Sequence, residues 1–112
     1  VYDKRNSSII NRGVGLCKYT GSRGKSGASD ASAEVMGYAR RVFERANVLW
    51  HVAELGKVDV GGGGTVALFM ANRNIDTVDA GVSVLGMHAP FEVTGKLDCY
   101  MTYLAMKAVF ED

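Results

Sequence analysis

One histidine of this chain, His88, lies where an imidazole could bind a metal ion or move a proton. It follows an apolar stretch with strand character and precedes Pro90, so we expect an ordered turn at the carboxyl edge of a sheet, facing a cleft. A zinc site needs at least three protein ligands, and a lone histidine is usually not a ligand. The other histidine, His51, lies between Trp50 and Val52 in an apolar segment and is predicted to pack or hydrogen bond within a strand. His88 is the candidate ligand and requires partners from elsewhere.

A run of glycines, residues 61–64, precedes Thr65 and a short apolar stretch. Backbone N–H groups at a helix start carry partial positive charge, which suits a carboxylate or a developing oxyanion, and glycine permits close approach of a substrate. The alternative is a flexible turn. Consecutive glycines cost conformational entropy that a simple turn does not require, so the run is also a candidate site lining.

A second glycine-rich segment, residues 21–27, contains Gly24, Lys25 and Ser26 and invites comparison with a phosphate-binding loop. That motif requires a further glycine five positions before Gly24, where this chain has Tyr19. The segment is therefore predicted to be a solvated or site-lining loop, and phosphate binding is kept as an alternative.

The elements that must position these segments alternate between strands and helices. Residues 13–19, 48–55 and 75–84 are predicted to be strands, with residues 20–27 as a loop after the first. Ser29 or Asp30 is the expected N-cap of a helix of about five turns, and Thr65 the expected cap of residues 66–72. The last helix is predicted from about Thr94. It would present one apolar face formed by Leu97, Tyr100, Met101, Leu104 and Ala108.

This order predicts the α/β class, as a three-layer α/β/α sandwich with mostly parallel central strands, present as a partial domain. The length of 112 residues suits one domain or a piece of one. The 13 basic and 12 acidic side chains are spread without runs of one sign, which argues against binding to nucleic acid or an anionic membrane. No apolar run reaches the roughly 20 residues of a membrane span, and no signal peptide is visible, so we expect a cytoplasmic protein. Cys17 and Cys99 are predicted to be reduced core residues, and Val1 suggests a fragment or a processed product.

Three segments, residues 18–31, 54–65 and 87–92, together resemble the M18 metallo-aminopeptidases in order and spacing. This family contains aspartyl aminopeptidase and aminopeptidase I, and the likeness is closest to the bacterial aminopeptidase I branch. The third segment is also similar to the histidine turn of the M42 and M20 peptidases. The resemblance covers almost the whole chain and implies that residues 1–112 are the C-terminal segment of a catalytic domain.

The resemblance implies two zinc ions that share a bridging water, which attacks the scissile carbonyl. It makes His88 the last of the metal ligands and gives Glu92 a supporting position behind the site or at a helix start. The expected substrate-binding residues are Lys18, Gly63, Gly64 and Thr65. The other ligands and the glutamate that acts as general base are expected upstream of Val1, so no catalytic residue is assigned within the chain.

The function implied is removal of acidic or neutral N-terminal residues from peptides, within a large homo-oligomer and together with the rest of the catalytic domain. Lys18 could hold an acidic side chain of the substrate. Neutral substrates are included because Lys25 stands where the aspartyl aminopeptidases have a tyrosine that contacts substrate. Two alternatives stay open: a phosphate- or nucleotide-binding module without hydrolysis, and a non-catalytic relative used for assembly.

Overall fold

The computed structural model describes residues 4–22, 26–54 and 64–112. The first half contains β1 (Val14–Cys17), β2 (Tyr19–Ser22), β3 (Ser26–Asp30), α1 (Ala33–Arg45) and β4 (Trp50–Val52). The second half contains α2 (Val66–Ala71), β5 (Asp79–Gly81), β6 (Val84–Leu85), β7 (Val93–Thr94) and α3 (Lys96–Glu111). Strands and helices follow one another in the predicted order, but the strict alternation is not found, because three strands precede α1 and three precede α3. None of the helices in these ranges is long and apolar enough to cross a membrane.

The central sheet has β1 in the middle, with β4 on one side and β5 on the other. β4 is parallel to β1, with Val14 opposite Trp50, whereas β5 is antiparallel, with Cys17 opposite Asp79. The α/β class is confirmed, but the expectation of mostly parallel strands holds only for the first pair. A parallel connection needs a crossover that carries the chain back along the sheet. α1, with 13 residues, provides it between β1 and β4, while α2 has only six residues before β5.

One face of β1 forms the core with the two long helices. Val14 and Leu16 point to this face and are fully buried, as the two-residue period of a strand dictates. They pack with Phe43 of α1 and Ala105 of α3, which are 2% and 0% exposed. Both long helices thus lie on the same side of the sheet in the described part of the chain, and the third layer of the sandwich stays a prediction.

The start of α1 differs from the sequence-based expectation. Ser32 is the N-cap, and its hydroxyl accepts a hydrogen bond from the Val35 N–H at 3.2 Å. Ser29 and Asp30, the predicted caps, instead belong to β3, which pairs with β2 where a loop was predicted. The hairpin was missed because its glycine and serine residues have low strand propensity. The helix is accordingly shorter than the predicted five turns.

α3 is fixed at its start by Asp98, whose carboxylate is fully buried. Its two oxygens accept hydrogen bonds from the backbone N–H groups of Asn11 and Gly13, each at 2.8 Å. The inward face of the helix passes through Asp98. As a result, Leu97 and Tyr100 are 41% and 57% exposed, and their predicted place on the packed face was wrong. Met101, Leu104 and Ala108 do pack against the core.

The two cysteines are free, as predicted. Their expected place in the core was wrong for Cys99, which is exposed, and only partly right for Cys17, which is half-buried. His51, in contrast, is hydrogen bonded within β4 as predicted, because its Nε2 accepts from the Ile9 N–H at 3.2 Å and its Nδ1 lies 3.1 Å from the Arg12 carbonyl oxygen.

Candidate metal and substrate site

His88 lies on the turn between β6 and β7, which form a two-stranded antiparallel sheet of their own. The Ala89 N–H donates to the Gly86 carbonyl oxygen at 2.8 Å and closes the turn. His88 has a φ of 68°, in the left-handed region that few residues other than glycine adopt. Its N–H donates to the Glu92 carboxylate at 2.7 Å, so Glu92 holds the turn from the other side.

The imidazole of His88 is exposed on this turn. An ordered turn was predicted, but its place at the carboxyl edge of a parallel sheet was not correct, because the predicted strand 75–84 divides into β5 and β6. β5 is antiparallel to β1, and β6 leaves the central sheet. The backbone of the turn that carries His88 is therefore held by the β6–β7 pairing and by the Glu92 carboxylate.

Thr65 is the N-cap of α2, as predicted, and also joins that helix to the central sheet. Its hydroxyl oxygen accepts from the Ala67 N–H at 3.2 Å, and its hydroxyl donates to the Asp79 carboxylate at 2.6 Å. Gly64 is exposed immediately before it. Gly63 lies outside the described residues.

Lys18 follows β1 and is partly exposed, and its ammonium donates to the carboxylate of Asp30 at the end of β3. The sequence predicted that this ammonium would be available to a substrate carboxylate. In the structure it already has an anionic partner, which the sequence analysis did not identify.

An open cleft of about 690 Å³ lies beside the face of β1 that is opposite the core. Its lining includes Cys17, which precedes Lys18, Thr65, which is the N-cap of α2, and Met87, which precedes His88. The second and third segments singled out in the sequence therefore border one cleft, through Glu54, Thr65 and Met87, whereas of the first only the preceding residue, Cys17, reaches it. Gly15 also lines it, and a Cβ at this position would lie 2.6 Å from the Ala53 Cβ, so the close packing of β1 on Ala53 requires glycine.

The cleft is acidic at the carboxyl end of β1. Burial, followed by the nearby carboxylates of Glu54 and Asp79, raises the pKa of the Cys17 thiol to about 11. Burial is also the main cause that raises the pKa of Glu54, against the lowering effect of the Tyr19 N–H, which donates to it at 3.3 Å. The sequence did offer a signal for Glu54, which lies at the carboxyl end of the predicted strand 48–55, where sites commonly form. Asp79 lies inside the predicted strand 75–84 and carried no such signal.

His88 suits one position of a zinc centre, because imidazole is a usual zinc ligand and this one is exposed on a constrained turn. Within the ranges 4–22, 26–54 and 64–112, no three side chains of His, Cys, Asp or Glu are grouped so that they could hold a metal ion. The described residues therefore fit at most a single ligand of such a centre, which would need its further ligands from other residues.

Comparison with known proteins identifies relatives over the whole chain. Residues 1–110 match the family described as aminopeptidase I zinc metalloprotease (M18). Proteins described as probable M18 family aminopeptidase 1 from Borreliella afzelii and Thermotoga neapolitana are 48% and 50% identical over 112 residues, all of this chain. The chain spans about a quarter of the length of these relatives, 24% and 25% respectively.

Solved structures give the same result. The crystal structure of an M18 aminopeptidase from Thermotoga maritima matches with a TM-score of 0.90 and 48% identity, covering 97% of this chain and 24% of that one. Aminopeptidase I from Clostridium acetobutylicum matches with a TM-score of 0.89 and 47% identity, covering 96% of this chain and 24% of that one. With a family match over residues 1–110 and agreement in both sequence and fold, the chain belongs to the M18 family of aminopeptidase I zinc metalloproteases.

Proposed function

We propose that residues 1–112 are the C-terminal segment of the catalytic domain of a zinc aminopeptidase, which removes acidic or neutral N-terminal residues from peptides. The observation that carries this proposal is the exposed side chain of His88 on a turn beside the cleft. His88 has a left-handed φ there, and two hydrogen bonds hold the turn. Non-glycine residues in the left-handed region cost energy and cluster at functional sites, where the surroundings impose them. Family membership supplies the chemistry to which such a histidine contributes.

In this proposal His88 is one ligand of a site for two zinc ions, and the remaining ligands and the general base belong to other parts of the protein. When bound, zinc makes water a nucleophile near neutral pH and polarises the scissile carbonyl. The role of this chain is to hold the imidazole in place. Two hydrogen bonds do so: the His88 N–H donates to the Glu92 carboxylate, and the Ala89 N–H donates to the Gly86 carbonyl oxygen.

The substrate-binding residues are proposed to be Lys18, Gly63, Gly64 and Thr65. The start of α2 offers backbone N–H groups, and the Thr65–Asp79 hydrogen bond fixes that start against the central sheet. Gly64 leaves the backbone open to close approach because it has no Cβ. Lys18 is included because it follows Cys17, which lines the cleft at the end of β1.

The proposed partners are the rest of the catalytic domain and further copies in a large homo-oligomer, in the cytoplasm. Large apolar side chains at the surface support the proposed protein contacts: Phe91, Phe110 and Val66 are 89%, 87% and 71% exposed. Exposed apolar groups of this size mark contact surfaces when they form patches.

The alternative of phosphate or nucleotide binding has no support from the relatives, which are aminopeptidases. A phosphate-binding loop of the Gly-Lys-Ser type must be followed by a helix, whose N-terminus faces the phosphates. Here Ser26 begins β3, a strand of a hairpin. Gly24 and Lys25 lie outside the described residues.

The proposal is tested by His88→Ala in the full-length protein, with bound zinc measured by elemental mass spectrometry and activity measured on aminoacyl amides. Loss of groups that merely support a ligand lowers metal affinity or activity about 10–100-fold, so loss of the ligand should lower them more than about 100-fold. His51→Gln is the matched control, since this histidine serves backbone hydrogen bonds and its loss should leave zinc content unchanged. Unchanged zinc in a folded His88→Ala protein would refute ligation.

A further inference from the structure

The outward face of α3 carries a stripe of aromatic side chains. Tyr100, Tyr103 and Phe110 are each more than half exposed, and their spacings of three and seven residues place them on one side of the helix. The opposite side holds Asp98 and Ala105, which are fully buried. The solvent side of a helix on a globular domain is normally polar. Large rings on this side therefore indicate a surface that another protein segment covers.

The two tyrosine rings of this stripe are ordered against each other. Their centroids are 6.3 Å apart and their planes differ by 29°, so the rings are stacked along the helix. Together with Phe110 they could bury on the order of 400 Å². This is about half of the roughly 800 Å² that one partner contributes to a standard interface. The stripe is therefore large enough to be one substantial contact within a larger assembly.

Charged side chains accompany the rings in a pattern that is complementary to itself. Lys96 begins the stripe and Glu111 ends it, and Lys107 lies one turn before Glu111. When a second α3 runs antiparallel with its Glu111 opposite Lys96, its Lys107 is opposite Tyr100, because both pairs have their midpoint next to Tyr103. The first pair is an ion pair, and the second brings an ammonium to an aromatic ring. A parallel arrangement would bring each charge against its own copy.

We propose that the outward stripe of α3 binds the same stripe of a second copy of this chain, antiparallel and around a two-fold axis beside Tyr103. The inference rests on the proposed homo-oligomer and deepens it by naming one contact surface. A two-fold contact uses the same patch on both copies, so each favourable pair occurs twice. Antiparallel helices also bring opposite ends of their dipoles together. Cover by another segment of the same chain is the competing outcome of the test.

The test reverses the charges at the two ends of α3 in the full-length protein and follows the assembly by mass photometry over a dilution series. Lys96→Glu places like charges at both ends of the contact, and Glu111→Lys does the same. We expect each variant to raise the concentration at which half of the assembly dissociates by about tenfold. The double variant restores opposite charges and should return this concentration to within about threefold of wild type.

Recovery in the double variant is specific for a contact between copies. The two exchanged positions lie roughly 22 Å apart along one helix, so they cannot compensate for each other within one copy. Glu44→Lys is the matched control, because Glu44 pairs with Arg40 four residues earlier on α1, as Glu111 pairs with Lys107 on α3. It removes a similar local pair away from the stripe and should leave the dissociation unchanged.

The inference is overturned if either single variant stays within about twofold of wild type, if Glu44→Lys weakens the assembly as much, or if the double variant fails to recover. Failure to recover would show that the stripe packs on another part of the same chain. A wild-type protein that is monomeric at micromolar concentration overturns the proposed homo-oligomer, and the inference with it. None of these outcomes bears on zinc binding or peptide hydrolysis, which are measured separately.

Discussion

Asp98 should be one of the most sensitive positions for the local stability of the segment that leads into β1. Its fully buried carboxylate accepts the N–H groups of Asn11 and Gly13, and Gly13 is the residue immediately before the central strand. Asp98→Ala removes both acceptors at once. The helix itself can accommodate alanine, so the effect should appear in the segment before β1 rather than in α3.

The expected size follows from the exposure of the two donors. A hydrogen bond to a charged group contributes about 1.5–3 kcal/mol, and a buried donor that loses its acceptor bears most of that loss. Gly13 is buried, whereas Asn11 is exposed and can turn to water. We therefore expect a total near 3 kcal/mol, less than the sum for two buried donors, which corresponds to an opening equilibrium on the order of 100-fold more favourable.

Hydrogen exchange of the full-length protein, followed by mass spectrometry of peptides that cover residues 9–16, measures this directly. Asp98→Asn should give an intermediate result, because the amide keeps one acceptor oxygen. Asp112→Ala is the control at the other end of α3, where the carboxylate accepts from Tyr38 and Arg45 at the surface. Exchange of residues 9–16 in Asp98→Ala within about threefold of wild type would show that the buried carboxylate does not hold this segment.

Two other predictions concern the cleft. Because the Cys17 thiol has a pKa raised to about 11, its alkylation by iodoacetamide should stay slow until the pH approaches that value. Glu54→Gln removes the second-largest cause of the rise and should move the rate profile to lower pH; an unchanged profile would contradict the stated cause. Gly86→Ala should weaken zinc binding by about tenfold or more in a chelator competition, because Gly86 has a φ of 75° and a Cβ would lie 2.8 Å from the Phe91 carbonyl oxygen. Wild-type affinity in this variant would show that the His88 turn tolerates the change.

The elements that were predicted from the sequence are those formed by burial. The apolar residues of β1, and those spaced by three and four in α1, follow the periods of strand and helix because one face of each must leave water. Thr65 was predicted as a cap for a similarly local reason, since its hydroxyl reaches the Ala67 N–H only two residues away.

The elements that were missed depend on pairing rather than on burial. The β2–β3 hairpin has glycine and serine residues whose own preferences oppose a strand, so only the pairing of the two strands reveals it. The antiparallel direction of β5 is likewise a property of the connection and not of the apolar run 75–84. The face of α3 was misjudged because a polar residue, Asp98, occupies one of its two fully buried positions.

The same distinction applies to the site. His88 and Thr65 were singled out because each stands in a recognisable local segment. The ion pair of Asp30 with Lys18 was not predicted, because it depends on the hairpin that brings the two residues together. A charged residue in a sequence carries no sign of the partner that a tertiary contact will give it. The motif therefore predicted an available ammonium, and the structure supplied its counter-charge.

The hydrogen bonds that close the His88 turn and cap α2 span few residues. Gly86 to Ala89, His88 to Glu92 and Thr65 to Ala67 all close within four positions of each other. Short loops of this kind need little from the remainder of the molecule to form, because closing them costs little chain entropy. A metal centre is different, since its ligands must converge from distant segments. The described residues can therefore present an ordered histidine turn although no three possible ligands among them are grouped to hold a metal ion.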